Sequence, residues 1–156
     1  TRVEFLLGKQ LPYVAIAFLS FISLVIFARF VFDVPVKGSL LALSVGSLAY
    51  VLATTAIGLL MSSFMRSQVA AIFATAIISI VPAVNFSGLL VPVSSLSGGA
   101  RLMGLAFPSS WYQQVSVGAF TKALGFPELW TDIVVIVLIG LVYIGLAMLA
   151  LRKQGR

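Results

Sequence analysis

The chain has 156 residues, 61% of them hydrophobic and 9% charged, with a mean hydropathy of +1.17. A soluble domain of this length needs far more charge to cover its surface, which leaves an integral membrane protein with α-helical spans. The net charge of +6 marks cytoplasmic loops rather than nucleic-acid binding, and the absence of Cys and His removes disulfides, thiolate metal sites and the commonest general base.

A β-barrel would need segments of about 10 residues with strict alternation. The apolar runs here are long and do not alternate, so the fold class is all-α membrane protein. The chain opens on Thr1 rather than Met, with no signal peptide before the first apolar run, and is expected to be a piece of a longer protein with earlier spans missing.

Residues 1–10 read as a short amphipathic helix. Thr1 and Glu4 fit a capping box, and Val3, Leu6, Leu7 and Leu11 recur at helical spacing. Such a helix lies along the interface; the plainer alternative is the first turns of the next span. Residues 11–156 form the transmembrane domain. The first span covers about 11–32. Arg29 and Asp33, four apart near its end, read as an interface ion pair, because an Arg in mid-membrane costs about 2.5–3.5 kcal/mol. Asp33 to Gly38 is a tight polar turn.

The second span covers about 38–65, and Thr54, Gly58 and Ser62 make a small-residue face along it. Arg66-Ser67-Gln68 is a short return loop. The third span covers about 69–92 and carries a second small stripe, Ala71, Thr75, Ser79 and Ala83. Packing of the two faces on each other is the plain reading, and a lining of the transport path is the sharper one. Pro82 followed by Asn85, Gly88 and Pro92 either kinks the helix end or breaks the backbone at membrane depth. A break there is tolerated only where protein or a water-filled cavity supplies partners.

Residues 102–121 carry no charge but contain Pro108-Ser109-Ser110 and Gln113-Gln114, a poor lipid-facing helix. They read as two short helices, about 96–107 and 110–124, joined at Pro108 with Ser110 capping the second. Neither is long enough to cross. Together, over about 96–124, they make an external re-entrant hairpin, with Trp111, Tyr112 and Trp130 at the headgroup level. The last span covers about 133–151. With four spans and both ends cytoplasmic, Arg2, Lys9, Arg66, Arg152, Lys153 and Arg156 lie inside. Arg29, Lys37, Arg101 and Lys122 lie outside, so the positive-inside bias holds. A crossing by 102–121 would put the basic tail outside.

No P-loop occurs, so ATP does not bind here through one. The scattered acids form no paired-carboxylate site, and no enzyme activity or cofactor is expected in this chain. Two ordered sets of residues carry a resemblance to the ABC-2 type exporter permeases. Thr1-Arg2-Val3-Glu4-Phe5-Leu6-Leu7-Gly8-Lys9 resembles that family's segment just before a transmembrane helix. Asn85-Phe86-Ser87-Gly88, Pro92, Arg101 and Phe107-Pro108-Ser109-Ser110-Trp111 are similar to its stretch between the last two spans. The likeness covers essentially the whole chain and is closest to the bacterial multidrug-type permeases.

The resemblance implies several things. Residues 1–10 would be a coupling helix on a separate ATP-hydrolysing subunit or domain, with Thr1, Arg2, Glu4 and Lys9 as its contacts. The chain would hold the last four of six spans. A second permease copy would complete the path in the cell inner membrane. Pro92, Arg101, Pro108, Ser110 and Trp111 would form the external gate, and Thr54, Gly58, Ser62, Thr75, Ser79 and Asn85 would serve packing or the pathway. The function implied is ATP-driven efflux of an apolar or drug-like substrate. The alternatives are a non-transporting membrane scaffold subunit and a fragment of a channel or secondary transporter.

Overall fold

The computed structural model describes residues 2–154, and for Arg2, Val3 and residues 152–154 only the backbone; Thr1, Gly155 and Arg156 lie outside the described residues. Six α-helices and no strand form among the described residues: α1 (Arg2–Phe30), α2 (Leu40–Phe64), α3 (Gln68–Asn85), α4 (Gly98–Ala106), α5 (Pro108–Phe120) and α6 (Phe126–Gln154). A single 3-10 turn, Val93–Ser95, lies between α3 and α4. Four helices, α1, α2, α3 and α6, are long and apolar enough to cross a membrane.

The first ten residues do not form a separate interfacial helix. α1 runs through Pro12 without interruption. Its buried residues, Leu6, Gln10 and Val14, are four apart, and Phe21 and Val25 continue the same side against the core. The opening turns thus face the bundle as the span does. The third span ends at Asn85 rather than 92, and the last begins at Phe126 rather than 133.

α2 is the hub, packing on α1, α3, α5 and α6. Its tightest face carries Ala42, Gly46, Ala49 and Ala53. A Cβ on Gly46 would stand 2.8 Å from Val115 Cγ1, and one on Gly140 would stand 3.2 Å from the Ala53 Cα. Small residues let the backbones approach, and dispersion contacts replace the hydrophobic drive that lipid does not supply. The expected small-face pairing of α2 with α3 is looser: a Cβ on Gly58 would meet Thr75 Cγ2 at 3.9 Å.

These contacts also set direction. Gly46 neighbours Ile133 and Ala53 neighbours Gly140, so α2 and α6 run parallel. Tyr112 meets Ser47, Val115 meets Gly46, and the Ala119 carbonyl meets the Gly38 N–H, so α5 runs antiparallel to α2. α1 and α5 end alike, each with a left-handed residue (Asp33, φ 52°; Ala123, φ 54°), and the chain segments that follow them dock on each other. Gly38 N–H donates to the Ala119 carbonyl at 2.8 Å and Ser39 N–H to the Leu124 carbonyl at 3.0 Å. A Cβ on Gly38 would overlap the Leu124 carbonyl. Because Asp33 turns out of the helix, it no longer sits one turn from Arg29 on a helical face. Among the described residues no ion pair joins the two.

α1 and α3 leave most of their apolar side chains facing outward, a surface that is stable only against lipid or protein. Gly140→Leu should force α2 from α6 and cost about 1–3 kcal/mol, read as a lower unfolding midpoint of the detergent-solubilised protein. An unchanged midpoint would count against close α2–α6 packing.

Candidate functional site: a broken helix and two polar clefts

Helix α4 stops at Ala106, one extended residue (Phe107) follows, and α5 starts at once with Pro108 in its first turn. Proline fits there because the missing N–H has no intrahelical partner to lose. The last four carbonyls of a helix are orphans, and in an apolar slab each would be expensive. Here each has a donor. Phe107 N–H reaches the Met103 carbonyl at 3.3 Å. Ser110 Oγ donates to the Gly104 carbonyl and lies 3.3 Å from that of Phe107. Trp111 Nε1 donates to the Leu105 carbonyl at 3.1 Å, and Tyr143 Oη to that of Ala106 at 3.3 Å.

Ser110 therefore does not cap α5 as expected. It is buried and bonds backward, because Pro108 already occupies the start of the helix. Trp111 serves a carbonyl. Tyr112 lies inside the bundle: its hydroxyl meets Ser47 Oγ at 2.8 Å and its ring stacks on Tyr50 with centroids 4.5 Å apart. Gly104 is buried where a Cβ would stand 2.6 Å from the Phe86 carbonyl, so α4 abuts the end of α3. Asn85 Nδ2 closes that end on the Val81 carbonyl at 3.0 Å.

A cleft of about 490 Å³ opens beside the break. Its walls include Ser87, Gly88 and Pro92 to Ser94 of the α3–α4 connection, Ser110, Gln113 and Gln114 of α5, Lys122 of the following loop, and Glu128 and Asp132 of α6. Of the expected gate residues, Pro92 and Ser110 line it. Pro108 is buried at the break itself, and Arg101 lies exposed on α4 away from the cleft.

A second cleft, of about 570 Å³, lies toward the other end of α2. Lys9, Gln10 and Tyr13 of α1, Thr55, Gly58, Leu59 and Ser62 of α2, and Gln68 of α3 line it. It brings Lys9 together with two residues of the α2 small stripe. Lys9 Nζ lies 4.6 Å from the centroid of the Phe5 ring. Gln10, which sequence reasoning left unmarked, is the buried polar group: Nε2 donates to the Leu52 carbonyl at 2.9 Å and to Thr55 Oγ1 at 2.7 Å. A lone amide beside a charged residue gives no signal of burial in sequence. Thr54 bonds back to its own helix, at the Tyr50 carbonyl. Thr75 and Ser79 are half-buried on α3. Glu4 sits in the first turn of α1; Thr1 and the side chain of Arg2 lie outside the described residues.

The family model described as ABC-2 family transporter protein matches residues 1–149. The probable multidrug ABC transporter permease YbhS of Escherichia coli (strain K12) is 25% identical over 154 residues, 99% of this chain and 41% of that protein. The inner membrane transport permease YhhJ of the same strain is 26% identical over 132 residues, 85% of this chain and 35% of that protein. The chain thus spans about two fifths of the length of these relatives. No solved structure matches it significantly.

Ser110→Ala would leave the Gly104 carbonyl without its side-chain donor at the break. A loss of about 1–3 kcal/mol is expected, measured as a drop in the unfolding midpoint, with Ser110→Thr losing less.

Proposed function

This chain belongs to the ABC-2 family of transporter proteins, and from that premise we propose that it is the C-terminal membrane part of an exporter permease. ATP hydrolysis on a partner subunit or domain drives efflux of an apolar or drug-like substrate through it. The observation that carries this reading is the family match along nearly the whole chain. Names of the two relatives add "multidrug" and "inner membrane" to the proposal.

The parallel run of α2 and α6 supports a return of α4 and α5 to the side they start from. If α2 goes inward and α3 outward, α6 goes inward only when α4 and α5 together make no net crossing. The helices have 9 and 13 residues, against roughly 20 needed to span. The pair then dips from the external side and returns, with its break at about the level of Tyr50, and the 490 Å³ cleft opens outward. Both ends of the chain face the cytoplasm.

At about 1.5 Å per residue, the 29 residues of α1 are longer than a hydrocarbon core of about 30 Å. The turns before Lys9 then stand at the cytoplasmic face, where Arg2, Glu4 and Lys9 meet the ATPase. A second permease copy covers part of the outward apolar surface, and lipid covers the rest. ATPase movement tilts this end, and the external pair opens in response.

In the complete permease, Glu4→Lys should keep protein in the membrane but lower export about ten-fold or more, as loss of one buried or interfacial charge pair does. Unchanged export together with unchanged ATPase binding would remove the coupling role. Single cysteines replacing Leu102 and Thr121 should react with a membrane-impermeant maleimide from outside. Reaction only from the cytoplasm would overturn the re-entrant reading.

A further inference from the structure

We infer that Gln10 and Thr55 are positioning residues that pass movement of the first turns of α1 into α2, and that Ser47 and Tyr112 pass it from α2 to α5. The inference deepens the permease reading and rests on it. Gln10 is 2% exposed, with buried Leu6 and Val14 one turn to either side. A carboxamide at such a place is costly unless paired, and an apolar residue would pack as well without that demand. Both of its hydrogens go to α2. One reaches the Leu52 carbonyl, part of the helix backbone, and the other reaches Thr55 Oγ1. The Thr55 hydroxyl is itself fixed, donating to the Val51 carbonyl at 2.8 Å. α1 is therefore bonded to the body of α2 rather than to a side chain free to rotate.

Ser47 lies eight residues before Thr55 on α2, about 12 Å along the axis. Its hydroxyl is anchored on the Leu43 carbonyl at 2.7 Å and meets Tyr112 Oη at 2.8 Å. Tyr112 follows directly on Ser110 and Trp111, whose side chains hold the break. Lys9, at the edge of the segment assigned to the ATPase, is the neighbour of Gln10. Two polar contacts, joined by the body of α2, thus lie between that segment and the break. Such an arrangement earns the name of a relay only through coupling measurements.

The test uses the complete permease with its partner ATPase in lipid nanodiscs, with Leu102→Cys as the reporter. This chain holds no other Cys, and Leu102 is 70% exposed. The reaction rate with an impermeant maleimide is compared with and without ATP plus vanadate. Thr55→Val removes one acceptor at constant shape, and Tyr112→Phe keeps the ring stack, so both preserve packing. Each should shrink the nucleotide effect by about three-fold or more, the factor of an average interhelical hydrogen bond in a membrane. Gln10→Leu should shrink it further, Thr55→Ser should retain it, and the Thr55→Val/Tyr112→Phe double variant should be no worse than the stronger single one.

A full nucleotide effect in Gln10→Leu and Thr55→Val overturns the inference. So does equal loss in Thr55→Ser and Thr55→Val, which marks a purely structural role, and so does additive loss in the double variant. If nucleotide leaves the rate unchanged in the parent protein carrying only the reporter, the gating reading falls and takes this inference with it.

Discussion

A helix that ends against a packed bundle must find donors for its last carbonyls, and the course of the chain after α4 goes with how it finds them. They come from the backbone of Phe107, from two side chains of α5 and from Tyr143 of α6. Pro108 cannot continue α4, and these groups satisfy the carbonyls that the break leaves open. With them the chain breaks at Phe107 and α5 runs back along α2. α6 then begins at the same end as α2, and the two lie parallel in close contact.

α2 meets its neighbours in two different ways. Toward α5 and α6 it presents small apolar residues and packs tightly. Toward α1 and α3 it presents hydroxyls beside a cleft. Those hydroxyls are mostly satisfied within α2: Thr54 on Tyr50, Thr55 on Val51, Ser62 and Ser63 on Leu59. Back-bonding of this kind lets polar side chains line a cleft in a membrane without demanding a partner, and it softens the helix that carries them. One side of α2 is thus held rigidly while the other accepts adjustment.

Much of this was legible in the residues. Uncharged runs gave the four long helices, and Pro108 amid serines and glutamines gave the break. The ends were misjudged for local reasons. Asn85 uses its own side chain to close α3, well before Pro92. Pro127 and Glu128 suit the first turn of α6, so that helix begins before the charge-free run does. Trp111 and Tyr112 look like interface anchors by type, since nothing in sequence shows the carbonyl or the hydroxyl that each one meets. Gln10 was invisible for the opposite reason. Beside Lys9 it looks solvated, and only the approach of α2 makes it a buried group.

The continuity of α1 changes what its first turns can do. A flat helix joined by a flexible corner would absorb a push at that corner. Here the turns are the end of one rod, and its one weak point is Pro12, which leaves the Gly8 carbonyl without its usual donor. Bending is easiest just there. Gln10 lies within that weakened turn, between Gly8 and Pro12, and bonds it to α2. Beyond Pro12, α1 rests against the core through Phe21 and Val25. The turn of α1 that Pro12 weakens is thus the one tied to α2.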